Sequence, residues 1–149
     1  MPVNPETQGR TYGPFEAYEV TRGAIRAFAD AVDARGGAHF YTEVAHAEGY
    51  ADVVAPATFA AIIAQKAEFH VVTDPEVGVD FSKVVHAEER FTHHRPIVAG
   101  DVIRAGITIE SITQRAGISM VTSRAELTDA DGVPVTTVLS TLAVREDQS

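Results

Sequence analysis

The side chains able to exchange protons near neutral pH are few in this chain. There are six histidines and no cysteine. Imidazole is the group whose ordinary pKa lies closest to physiological pH, so each histidine is a candidate acid or base. His39 stands alone just after the pair Gly36-Gly37. It reads either as a general acid/base or as an ordinary loop histidine. His86, His93 and His94 resemble a metal cluster at first sight. Neighbouring residues on a strand point to opposite faces, so only one of His93 and His94 can join His86. No His-Glu-x-x-His helix is present and thiolate ligands are lacking, so no metal and no cofactor is expected. Without cysteine there are no disulfides, iron–sulfur clusters or thiol nucleophiles either. Gly-x-Ser-x-Gly, the phosphate-binding Gly-Lys-Ser/Thr loop and Gly-x-Gly-x-x-Gly are all absent, which removes the chemistries tied to those motifs.

The elements that must position these groups belong to one domain. The chain has 149 residues, of which 45% are hydrophobic and 22% charged, as in a globular protein. A chain this long buries enough surface to need no covalent staple. The formal net charge of −9 repels phosphate backbones and anionic lipid, so neither nucleic acid nor membrane is an expected partner. The first residues have no basic stretch followed by an apolar core, so they do not read as a secretory signal. The longest apolar run, Val53 to Ala64, is interrupted by Pro56 and Thr58 and is too short to span a bilayer. The expected location is the cytoplasm. Met1 to Gly13 is polar and rich in turn formers and is expected to form an N-terminal arm.

Helical spacing of Ala24, Ile25, Phe28, Ala29 and Val32 predicts a helix from Thr21 to Val32, with Thr21 as N-cap. Asp33 to Gly37 breaks it. A short second helix is expected from Thr42 to Glu48, stopped by Gly49. A third should start near Pro56, which suits a first helical turn, and run to about His70. It carries Phe59, Ile62, Ile63 and Phe69 among several alanines, the composition of a helix buried on nearly every side. Downstream the pattern changes to strands. One is expected over Val84 to His93, then one in which Ile103, Ala105, Ile107 and Ile109 alternate with polar residues. Two more follow over Met120 to Leu127 and Val135 to Val144, joined by the turn Asp129-Ala130-Asp131-Gly132. Helices first and strands after argue an α+β domain, an antiparallel sheet packed on one buried helix.

Several segments resemble one family when taken together and in order. They are Phe28-Ala29-x-Ala31-Val32, the glycine break with His39, Gly49-Tyr50, Ala55-Pro56-x-Thr58-Phe59, Val84-Val85-His86 through Phe91, and Arg95-Pro96-x-x-x-Gly100-Asp101. They are similar to the MaoC-like hydratase/dehydratases, and more narrowly to the actinobacterial branch that holds the A and C subunits of the (3R)-hydroxyacyl-ACP dehydratase. The resemblance covers nearly the whole chain. It implies a hot-dog fold, in which the antiparallel sheet wraps a long central helix. It also implies a homodimer, or a heterodimer with a related subunit, and acyl thioesters of CoA or acyl carrier protein as ligands. A further implication is (R)-specific enoyl/3-hydroxyacyl thioester hydratase or dehydratase activity.

Active members carry an Asp-x-Asn-Pro-x-His motif, whose His/Asp pair holds water and shuttles protons. A backbone N–H at the start of the central helix polarises the thioester carbonyl. In register, His39 takes the histidine's place, but Ala34 takes the aspartate's, with Asp33 one residue earlier. Gly36 and Gly37 replace Asn and Pro. Loss of the carboxylate would slow the water chemistry by ~100-fold to ~10,000-fold, unless the glycines let Asp33 swing inward. Asp33 is otherwise a polar helix end. Ala57 and Thr58 supply the candidate amides, Pro56 having none, while Thr58 can equally cap the helix. Tyr41 and Phe40 are candidates to line an acyl tunnel or to pack. His86 is a candidate contact for pantetheine or for the dimer partner, and Arg95 meets either a phosphate or a carboxylate. Beside the hydro-lyase reading stand a non-catalytic acyl-binding or stabilising subunit of a heterodimeric dehydratase and, third, a hot-dog thioesterase with a different base.

Overall fold

The computed structural model describes residues 2–147. Helix α1 covers Arg22–Ala31, α2 Thr42–Ala47 and α3 Ala60–Val72. Among the described residues, six strands follow the order β1 (Thr11–Tyr12), β2 (Tyr18–Glu19), β3 (Val84–His93), β4 (Val102–Arg115), β5 (Ile118–Thr128) and β6 (Pro134–Arg145). Their antiparallel sheet runs β1-β4-β5-β6-β3, and β2 also pairs with β4. This is the hot-dog fold: a curved sheet lies along one helix.

Local signals account for most boundaries. The Thr21 hydroxyl accepts the Ala24 N–H at 3.1 Å and opens α1. Gly49 stops α2 at φ 94°, a left-handed conformation that suits glycine. The β5–β6 turn closes as expected, with the Asp129 carboxylate accepting the N–H groups of Asp131 and Val133. The central helix begins later than the proline suggests. Pro56 to Phe59 form a turn, and regular helix starts at Ala60.

Helix α3 presents Ala60, Ile63, Ala64, Ala67 and Val71 to the sheet, where Ile103, Ala105, Ile107, Ile109, Val121, Ala125 and Val138 face it. Alanines let the helix axis approach the strands closely, and register shifts between His86/Glu88 and Ile109/Ser111 mark where the strands bend. The helix is not covered on every side: Phe69 is 60% exposed. Phe81 is exposed just before β3 and Val85 on it, and among the described residues β3 has a neighbour only on its β6 side. No helix of the described residues is long and apolar enough to cross a membrane.

The N-terminal segment is not a free arm. Val3 is buried in the main core, and the Asn4 N–H donates to the Val77 carbonyl at 2.8 Å. Gln114 donates to the Val3 carbonyl, and the Val3 N–H donates to the Glu146 carboxylate. Further along, Asp74 accepts from the Tyr12 hydroxyl at 2.7 Å and from Arg10 at 3.0 Å. Burial, with the hydrogen bond to Asp74 next, pushes the Tyr12 phenol up to about 12. The segment is a strap, and its partners lie more than sixty residues away, where a local pattern does not reach.

One carboxyl is packed between helix and sheet. Glu89, on the inward face of β3, has one carboxylate oxygen buried without a hydrogen-bond partner. Around it stand His86 on the same strand and Glu68 and Gln65 on α3, with Ser123 and Ser140 on β5 and β6. Burial is the main cause that raises the Glu89 pKa, and the Glu68 charge adds to it, while His86 opposes.

Two stability predictions follow from these carboxyls. The Tyr12 hydroxyl, then the Glu76 N–H and Arg10, hold the Asp74 pKa below its usual value. A lowered carboxyl pKa stabilises the fold above the unfolded value of about 4, and that contribution is lost as pH falls through the folded value. Asp74→Asn should therefore melt below the parent at neutral pH, the gap closing as pH falls through the lowered folded pKa of Asp74; equal melting at neutral pH would refute the strap's anchoring. Glu89 has the opposite sign. Its ionised form is penalised in the fold, so the penalty is absent below the unfolded pKa of about 4.3 and full above the raised folded one. Glu89→Gln should raise the melting temperature at neutral pH and lose that advantage in acid, as calorimetry across pH would show.

Candidate functional site

His39 ends a short 3-10 turn, Gly37–His39. Two hydrogen bonds clamp this turn to the extended segment that precedes α3. The Val54 N–H donates to the Ala38 carbonyl at 3.0 Å, and His39 Nδ1 lies 2.6 Å from the Val54 carbonyl oxygen. A carbonyl oxygen only accepts, so Nδ1 carries the proton. In the neutral ring Nε2 is then the free base, and among the described residues it has no hydrogen-bond partner. The segment itself is held by Ala55 N–H to Ile97 and by Ala99 N–H to Val53.

Three residues beyond Val54 the same segment turns into α3. Phe59, fully buried, anchors the turn by edge contacts with Phe28 at 5.5 Å and Tyr18 at 6.3 Å. Ala57 and Thr58 remain exposed, and neither N–H makes a hydrogen bond within the described residues. The Thr58 side chain does not cap the helix. Phe59 occupies the cap position without a side-chain bond. A free imidazole nitrogen thus sits on a turn clamped to Val54, and two free amides follow three and four residues further along the Val54 segment. Such a set can take a proton from carbon or water while amides accept developing charge on a carbonyl oxygen.

The carboxylate expected beside His39 is not there. Asp33 sits at φ 57°, 82% exposed, with its carboxylate 2.6 Å from Arg35 Nε. Arg35 also holds Asp30 at 2.9 Å. The guanidinium therefore keeps Asp33 turned outward, and the histidine takes its orienting bond from the Val54 carbonyl instead. Gly36 does not supply the bend that would redirect Asp33, since its φ of −60° and ψ of 133° suit any residue. What it supplies is room: a Cβ there would stand 3.6 Å from Nε2.

Other expected residues are dispersed. Tyr41 is 61% exposed, and Phe40 is half-buried with its carbonyl taken by Arg26. His86 does not join His39. It lies seven residues before His93 on β3, roughly 20 Å away at strand rise, and its Nε2 is 2.8 Å from the Ser140 hydroxyl. There it lines a mainly apolar hollow of about 360 Å³ with Phe69, Phe81 and Leu142. Arg95 is committed to Asp101 at 2.9 Å, and that bond is the largest cause holding its pKa above the usual arginine value. His94 meets Thr137 at 3.1 Å. His93, weighed from the sequence only as a metal ligand, is the one that reaches the site: its Nε2 lies 2.8 Å from the Ala57 carbonyl oxygen. The usable signal was its place on the inward face of an alternating strand with Glu89 and Phe91. Among the described residues, no group of three metal-ligating side chains comes together.

Known proteins share this fold and much of this sequence. The family described as FAS1-like, dehydratase domain region, matches residues 6–138. A UPF0336 protein of Saccharopolyspora erythraea is 47% identical over 145 residues, covering 97% of this chain and 93% of its own. Another, from Leifsonia xyli, is 44% identical and covers 99% of both chains. A chain of the HadBC (3R-hydroxyacyl-ACP dehydratase) complex of Mycobacterium tuberculosis superposes with a TM-score of 0.84 and 32% identity, over 92% of this chain and 96% of that one. A MaoC-like dehydratase gives 0.88 and 32%, covering 94% of this chain and 42% of its own. With the wrapped helix, the clamped histidine and these likenesses in hand, the chain belongs to the FAS1-like dehydratase-region family, among the MaoC-like hot-dog proteins.

Proposed function

We propose that this protein binds acyl thioesters of CoA or acyl carrier protein and acts on them as an (R)-specific enoyl/3-hydroxyacyl hydratase or dehydratase. The observation that carries the reading is the tautomer of His39. Its Nδ1–H is spent on Val54, which opens the backbone run that ends in the free Ala57 and Thr58 amides, and its basic Nε2 is left open. In the dehydration direction His39 Nε2 removes the proton α to the thioester carbonyl. The amides carry the enolate-like oxygen, and the 3-hydroxyl leaves as water with a returned proton. Hydration is the reverse. The likeness to the HadBC complex, whose chain is 32% identical, supports this thioester class. It also supports assembly with a like or related subunit, for which β3 offers an edge unpaired among the described residues.

A second reading has its own observation. Asp33 faces Arg35 and Ala34 carries no acid, so among the described residues no carboxylate is hydrogen-bonded to His39. On that reading the chain is the acyl-binding or stabilising half of a heterodimer, and a related subunit supplies the complete pair.

One assay separates them. Purified protein is mixed with crotonyl-CoA and longer enoyl thioesters, and loss of the conjugated chromophore is followed. The enzyme reading expects turnover that falls ~100-fold to ~10,000-fold in His39→Ala. Gly36→Leu should depress it comparably with the fold retained, because the new side chain covers Nε2 in a backbone conformation that tolerates it. Activity that appears only with a partner, and survives His39→Ala, establishes the subunit reading. Turnover unchanged in both variants would remove His39 from the chemistry.

A further inference from the structure

The two atoms that matter at the start of α3 belong to one rigid unit. The carbonyl of Ala57 and the N–H of Thr58 are two ends of the same peptide plane and, in a trans peptide, point in opposite directions. Holding the oxygen therefore aims the hydrogen. His93 holds the oxygen, with Nε2 at 2.8 Å. Because the carbonyl can only accept, Nε2 is the protonated nitrogen. Nδ1 lies 3.2 Å from the hydroxyl of Thr136, which is fully buried and opposite His93 in the β3–β6 register. In the neutral ring Nδ1 accepts and Thr136 donates. The imidazole is also parallel to the Phe91 ring, with centroids 6.0 Å apart and planes 7° from parallel. Three contacts thus fix a ring whose only bond to α3's leading turn is to this one carbonyl.

We propose that His93 is a positioning residue: through the Ala57 carbonyl it orients and strengthens the Thr58 N–H that receives the thioester oxygen. The proposal rests on the thioester reading of those amides. Two physical effects combine. The first is orientation. Residues 56–58 precede the regular helix, so the helical ladder does not fix this peptide plane, and the hydrogen bond from β3 does. The second is polarisation. A donor on the carbonyl draws charge along the peptide and makes its N–H a better donor in turn, the mutual strengthening seen in hydrogen-bond chains. Thr136 extends the chain into the core, so the sequence Thr136 hydroxyl, His93 ring, Ala57–Thr58 peptide ends at the substrate. His93 touches no substrate atom in this scheme and exchanges no proton with it.

The test compares the unsubstituted protein with His93→Leu, which removes the donor, and His93→Gln, whose amide restores one at similar reach. Isotope-labelled protein reports the Ala57 carbonyl and Thr58 amide resonances by NMR, before and after addition of butyryl-CoA, a saturated thioester that cannot react. The leucine variant should shift the Ala57 carbonyl resonance and weaken the response of the Thr58 amide to butyryl-CoA, and the glutamine variant should restore both. Where crotonyl-CoA is turned over, with or without a partner subunit, His93→Leu should lower kcat by roughly tenfold to a hundredfold with little change in KM, as for a weakened oxyanion donor. His93→Gln should recover most of it. A Thr58 response equal in the parent and the leucine variant overturns the role of His93 alone. No Thr58 response in the parent removes the thioester reading of the amide, and the His93 role with it. Loss of kcat in both variants alike, with unchanged Thr58 shifts, assigns His93 a merely structural role and overturns the proposal.

Discussion

The close seating of α3 on the curved sheet is the constraint on which the rest of the molecule depends. Ala60, Ala64 and Ala67 remove side-chain bulk where helix and strands meet, and Ile63 and Val71 fill what remains. Large residues at those positions would lift the helix. The turn before α3 would then lose its contact with His93 at the end of β3, while its other side would part from the segment that carries Val54. The candidate site is built where the helix begins, where the end of β3 meets the α3 turn and the His39 turn is clamped to the segment leading into it.

Backbone groups do much of the positioning in that place. The Val54 peptide gives its N–H to Ala38 and its carbonyl to His39, and so selects both the location and the tautomer of the imidazole. The Ala57 carbonyl is given to His93 and leaves the Thr58 N–H free. Backbone acceptors hold no charge, so this arrangement orients a base without the electrostatic support a carboxylate would lend to an imidazolium. That difference departs from the Asp/His pair of the expected motif, and the two proposed readings part on it. Both use the same thioester seat, and they differ in which subunit moves the proton.

Much of the fold was legible because its signals are local. Thr21 as cap, Gly49 as stop, the alternation of Ile103 through Ile109 and the Asp129–Gly132 turn each act through atoms a few residues apart. The N-terminal strap was not legible. Its polar residues have no period, and what holds it is Val77, Asp74, Gln114 and Glu146, far along the chain. The candidate site divided in the same way. His39 and the Ala57–Thr58 amides were expected from the order of short motifs. The outward turn of Asp33 depends on competition from Arg35, and the separation of His86 from the site depends on the length of β3.

Residue order by itself determined the three helices and the four long strands, that the third helix would be buried against a sheet, and which histidine follows the glycine break, while the two short strands β1 and β2 went unread. These follow from periodicity, caps and turn chemistry, all short-range effects. Only the tertiary structure decided that His39 leans on a carbonyl rather than a carboxylate, that His93 reaches Ala57 while His94 does not, and that one side of α3 and of β3 stays uncovered in the single chain. Each of those outcomes depends on which surfaces meet when the strands curve around the helix. Contacts between residues tens of positions apart in the chain, set by packing, have no trace in the local pattern of either partner.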